Sequence, residues 1–108
     1  MMREFTAFLL DQLSPLQPIS VRKMFGADCL FRFGKMFAII ENDQLYLKIN
    51  AKTIPHFIQA GCLPFSYTTT RKGEKRQVQL SYYQVPDSAL EEPDELLFWV
   101  KLAFSAID

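Results

Sequence analysis

Apolar residues recur along this chain with two periods, and the changes of period mark its elements. Phe5, Phe8, Leu9 and Leu13 follow helical spacing until Ser14-Pro15 and Pro18 end the pattern, which predicts a first helix over 3–13. Val21 to Phe25 reads as a short extended segment stopped at Gly26, where a turn can use positive φ. Cys29, Phe31 and Phe33 then alternate with Leu30 and Arg32, and Met36 to Glu41 is apolar on both sides of the pleat, as a central strand would be. Gly34-Lys35 predicts a type II′ hairpin turn and Asn42-Asp43 a type I′ turn, so these segments form a three-stranded meander. In its third strand Leu45, Leu47 and Ile49 point to the core, and Gln44, Tyr46 and Lys48 to water.

Asn50 is placed to cap a short helix carrying Ile54, Phe57 and Ile58, with Pro55 in its first turn and Gly61 and Pro64 as stop signals. Phe65, Tyr67 and Thr69, and across a polar loop Val78, Leu80 and Tyr82, alternate as a second antiparallel pair. Pro86 ends that pairing, and Ser88 with Glu91 predicts a capping box on a single turn. Glu92 then precedes Pro93 at the first position of the last helix, with Asp94 and Glu95 against its positive end. The apolar residues of that helix, from Leu96 to Ile107, cover more than one face, so it lies in a groove or a second subunit covers it. A homodimer through this helix is the expectation. The fold class is α+β, an antiparallel sheet of about five strands flanked by N-terminal, middle and C-terminal helices.

At 108 residues the expectation is one domain, 1–108. The net charge of zero speaks against the basic footprint of most nucleic-acid-binding domains, but it averages two unlike parts. Through Pro86 there are 11 basic and 6 acidic residues, a balance of +5, and from Asp87 onward 1 basic and 6 acidic, a balance of −5. Cys29 and Cys62 match no CxxC or zinc spacing and read as free thiols of a cytoplasmic protein. No secretory segment opens the chain, and no apolar stretch approaches the ~20 residues of a spanning helix, so no membrane partner is expected.

No constellation of catalytic residues appears. His56, the sole imidazole, has no Ser-His-Asp, Cys-His or HExxH context, and the carboxylates Glu91, Glu92, Asp94 and Glu95 have a sufficient cause in the helix terminus they precede. The glycines fall singly, with neither a P-loop nor a GxGxxG fingerprint. The chain is therefore read as no enzyme, without a metal or cofactor. Arg71, Lys72, Lys75 and Arg76 form the densest basic cluster, at a hairpin tip where they could meet phosphates or an acidic protein surface; Arg22 and Lys23 are secondary candidates. Tyr46 and Tyr83 share faces with polar neighbours, too few to make a base-stacking sheet.

The ordered set Arg22-Lys23-Met24-Phe25-Gly26, Met36-Phe37-Ala38, Leu45-Tyr46-Leu47-Lys48, Gly61 with Pro64-Phe65-Tyr67, Tyr82-Tyr83-Gln84-Val85-Pro86, and Pro93-Glu95-Leu96-Trp99 resembles the N-terminal domain of the TfoX/Sxy family. The chain departs from the family pattern at Ala27-Asp28-Cys29, where further glycine and tyrosine are usual. The resemblance implies an α+β domain connected with regulation of bacterial competence genes, in a family thought to act as transcriptional coactivators beside the cyclic-AMP receptor protein. Full regulators of this kind carry a second, C-terminal domain, so the chain is expected to be a single-domain member. It implies no catalytic residues. The expected function is a non-enzymatic regulatory module acting on a transcription-related protein. The alternatives are nucleic-acid binding through the basic tip, disfavoured by net charge, and a small-ligand-binding domain.

Overall fold

Positive-φ pairs at Phe33-Gly34, Asn42-Asp43 and Lys72-Gly73 fold the backbone through three two-residue turns. The computed structural model describes residues 3–24 and 26–108. Helix α1 (Glu4–Gln12) and a 3₁₀ turn (Ser14–Leu16) lead into strands β1 (Ser20–Met24), β2 (Ala27–Arg32), β3 (Lys35–Glu41) and β4 (Gln44–Lys48). After helix α2 (Ile54–Gln59) come β5 (Pro64–Arg71) and β6 (Glu74–Gln84), a second 3₁₀ turn (Asp87–Leu90) and helix α3 (Pro93–Ile107). The six strands form one antiparallel sheet in the order β1-β2-β3-β4-β6-β5. The segment from Val21 is a full partner of β2, which makes six strands rather than about five. Its expected end at Phe25 lies outside the described residues.

One sheet face carries the helices. Leu30, Ala38, Ile40, Leu45 and Leu47 from the strands meet Leu9 and Leu13 of α1, Phe57 of α2 and Leu96, Trp99, Val100 and Ala103 of α3, all buried. The last four stand at i, i+3, i+4 and i+7, the single stripe a surface helix uses. Phe57 and Trp99 lie 4.8 Å apart between ring centroids and lock α2 to α3. Leu97, Leu102, Phe104 and Ile107 are partly buried against this core, so much of the apolar surplus of α3 is taken up within the chain. Phe98, 50% exposed, is what remains.

The other face builds a second, smaller core from Ala27, Cys29, Ile39, Phe65 and Tyr82. The sheet curls to close it: the Tyr82 hydroxyl on β6 donates to the Met36 carbonyl on β3, two strands away, at 3.2 Å. Tyr46 is therefore half-buried, edge-on to Phe65 at 4.9 Å, rather than facing water. Tyr83 belongs to the helix side, where it pairs with Leu47 and tilts against Phe57.

Three local expectations change. The first hairpin turns at Phe33-Gly34, one residue earlier than Gly34-Lys35, with φ of +50° and +80°, the signature of type I′ rather than II′. At Asn42-Asp43 both φ values are positive, as expected for I′. Ser88 makes no capping box with Glu91; its hydroxyl donates to Glu95 across the start of α3 at 2.9 Å. Asn50 does cap the turn entering α2: its Oδ1 accepts from the Lys52 and Thr53 amides, and Thr53 Oγ1 accepts from the Asn50 amide, each at 2.9 Å. Phe8, counted with the core stripe, points outward, and Thr6 takes the buried place instead. The Thr6 hydroxyl donates to Asp28 Oδ2 on β2 at 2.5 Å, tying α1 to the sheet by a buried polar contact.

Candidate interaction surface

The residues expected to form a polar loop, Arg71 to Arg76, instead continue the sheet. Strands β5 and β6 pair in register from Ser66↔Gln79 to Arg71↔Glu74, and the turn is Lys72-Gly73 alone. Both turn residues have positive φ, +53° and +80°, as type I′ requires; glycine supplies the second without strain. Side chains at 68–77 are exposed on both faces of this ribbon, so its outer half is an arm with no core beneath it.

Alternation along the arm sorts its charges. Arg71, Glu74 and Arg76 share one face with Thr69, while Lys75 stands opposite Thr70 on the other and Lys72 sits in the turn. Arg76 lies 3.9 Å from Glu74, and both are highly exposed, so that pair contributes little to stability. Arg71, Lys72, Glu74 and Arg76 line a hollow of about 290 Å³ at the tip. The arm thus carries four cations against one acid. The opposite end of β6 leads into Asp87, Glu91, Glu92, Asp94 and Glu95, with no cation between Pro86 and Val100. Neutral net charge therefore conceals a molecule polarised along β6.

Arg22 and Lys23 do not join the arm. They lie on β1, at the sheet edge opposite β5, and point to opposite faces. The Arg22 guanidinium sits 5.2 Å from the centre of the Phe31 ring, and Lys23 is registered against Asp28.

A further hollow of about 330 Å³ lies at the end of α3, lined by Arg32, Phe33, Lys35, Phe104, Ile107 and Asp108. Its cations are engaged: Lys35 Nζ donates to the Ile107 carbonyl at 3.0 Å, and Arg32 stacks on the Phe104 ring at 4.1 Å. A cation at a helix C-terminus is the ordinary answer to unpaired carbonyls there. Phe33, 76% exposed, is the residue sequence reasoning missed here, because it was read as a strand position.

Comparison with known families fits this architecture. Residues 11–107 match the TfoX N-terminal domain. The chain belongs to the TfoX N-terminal domain family. No curated protein matches it. The family match takes in all six strands, α2 and the whole of α3. Among the described residues no three His, Cys, Asp or Glu side chains are grouped to hold a metal ion, and no helix is long and apolar enough to cross a membrane. His56 is exposed on α2, with its ring edge-on to Phe98 at 6.0 Å.

Burial pushes both thiols above their ordinary pKa, and at Cys29 the neighbouring Asp28 adds to the effect. That is the opposite of an activated cysteine.

Proposed function

We propose that this TfoX N-terminal domain is a non-enzymatic, cytoplasmic regulatory module related to the bacterial competence and transcription regulators, acting by contact with a protein partner. The observation that carries the reading is the arm. An isolated two-stranded ribbon is marginally stable in water, and the outer half of this one is made of exposed threonine, glutamine, glutamate, lysine and arginine side chains around one glycine. Such a part contributes little to its own fold and presents four cations to whatever approaches. An acidic surface of a transcription protein fits it.

The test is affinity capture from bacterial lysate with the wild-type domain and with Arg71, Lys72, Lys75 and Arg76 all changed to Glu. Retention of RNA polymerase or a transcription activator by the wild type, and its loss in the variant, is the expected result. Equal capture by both, or capture of no transcription protein, refutes the assignment to the arm.

Charge separation along β6 favours one second reading, direct contact of the same arm with nucleic-acid phosphates, because the acids that cancel the net charge lie at the far end. A salt titration of binding to duplex DNA decides it. Affinity that stays negligible at low salt removes this reading. A homodimer through α3, expected from the sequence, would centre on Phe98, 50% exposed, beside the partly buried Leu97, Leu102, Phe104 and Ile107.

A further inference from the structure

The two edges of the sheet are defended differently. Edge strand β1 is five residues long and carries Arg22 and Lys23 near its middle. Edge strand β5 is eight residues long; it opens with Pro64 and a register shift before Ser66 and closes with Arg71. Between them Ser66-Tyr67-Thr68-Thr69-Thr70 carries no charge, proline or glycine, the devices that keep a sheet edge from pairing. The type I′ turn at Lys72-Gly73 fixes which backbone groups are left over. Arg71 and Glu74 flank it and exchange both hydrogen bonds, so Thr69–Arg76 and Tyr67–Val78 do likewise. Ser66, Thr68 and Thr70 therefore turn their N–H and C=O groups away from β6, a row of three donors and three acceptors over about 14 Å.

The geometry points to a second copy of this chain as the occupant of that edge: β5 pairs antiparallel with β5 of the second copy about a two-fold axis at Thr68, joining two six-stranded sheets into one. Thr68 then faces Thr68 of the second copy, and Ser66 faces its Thr70 on either side. All three outward pairs are satisfied reciprocally, as an isologous interface demands. Threonine pairs across strands are favourable, and like charges directly opposite are not. In this register Arg71, the last residue of β5, falls opposite Phe65, and the turn at Lys72-Gly73 lies beyond it, so the two basic ends lie apart and face uncharged residues.

The next position toward the base is Leu63, 66% exposed, whose carbonyl accepts from the Gln84 amide at 2.8 Å and so continues the strand path. Asp87, where the acidic stretch begins, lines the same hollow as Leu63. Each basic turn is thereby directed at the acidic base of the other copy. An extended acidic peptide from another protein would meet five uncharged residues before reaching Arg71, a poorer match.

This inference does not rest on the regulatory reading, although both involve the same basic turn. Its first test is Thr68→Pro. The amide of Thr68 points outward, so the ring removes a donor on the axis while the bonds of Tyr67 and Thr69 to β6 remain. Sedimentation over a concentration series should give two chains for the wild type and one for the variant, with unchanged far-UV circular dichroism. The second is Thr68→Cys with Cys62→Ser. A hydrogen-bonded cross-strand pair has a Cα separation of about 5.5 Å, within disulfide reach. Mild oxidation should convert the protein to a covalent dimer, while Lys101→Cys in the same background, exposed on α3, should not. If Thr68→Pro fails to fold, the disulfide result decides alone. A wild type that stays a single chain without trapping at 68 overturns the proposal. So does a dimer that Thr68→Pro leaves intact and Thr68→Cys does not trap, which would move the contact to another surface.

Discussion

Replacing Thr6 by valine keeps its shape and removes one proton donor, so it isolates the contact that fastens α1 to β2. Thr6 is fully buried and Asp28 only 4% exposed, and the hydroxyl is the side-chain donor the structure gives that carboxyl group. Hydrogen bonds to charged groups contribute about 1.5–3 kcal/mol, and a buried acceptor left without its donor keeps its desolvation penalty. The expected loss is about 2–3 kcal/mol. With an unfolding entropy of roughly 2.1 cal/mol/K per residue, 108 residues convert that loss into a Tm lower by roughly 10 °C. Thr6→Ser retains the hydroxyl and removes one methyl group, so it should cost only about 1 kcal/mol. Urea titrations of wild type, Thr6→Val, Thr6→Ser, Asp28→Ala and the Val/Ala double variant give both single effects and the coupling energy. A valine variant no less stable than the serine one, or a coupling near zero, would refute the reasoning.

Two further outcomes follow from the second core. Burial first, and the neighbouring Cys29 second, push the Tyr82 phenol from 10.0 up to about 12. The folded pKa exceeds the unfolded one, so this contribution is fully present below pH 10 and is lost as pH rises toward 12, a loss of about 2–3 kcal/mol. Subtracting a Tyr82→Phe titration from the wild-type one should leave that slope, and parallel curves would contradict it. Cys29 is fully buried and Cys62 half-buried, so native protein should be alkylated at Cys62 well before Cys29, and mass spectrometry of timed samples would show the order.

What the sequence disclosed was whatever a strong period could carry. The existence of α3, the alternation of β4 and the Asn42-Asp43 turn each follow from side chains whose burial or φ preference leaves little choice. The Phe33-Gly34 turn was hidden because a bulky aromatic rarely takes positive φ; here the ring lies under the Arg32 guanidinium at 5.4 Å instead of in the core. The arm was hidden for the opposite reason. Its residues are polar on both faces, so they show no alternation, and the backbone ladder alone marks them as strand. Tyr46 was read as solvated because period two assigns a face without saying whether the sheet curls over it. The Thr6–Asp28 contact had one legible signal: Thr6, Leu9 and Leu13 fall on one helical stripe, which places a polar side chain against the sheet.

The central claim is that the arm meets a transcription protein, and a photo-crosslinking amino acid at Lys72 tests it most directly. Incorporated there in bacterial cells and irradiated, it should yield an adduct containing RNA polymerase or a transcription activator, absent when the same group replaces Lys101 on α3. No such adduct at position 72, or the same adduct from both positions, would contradict the account.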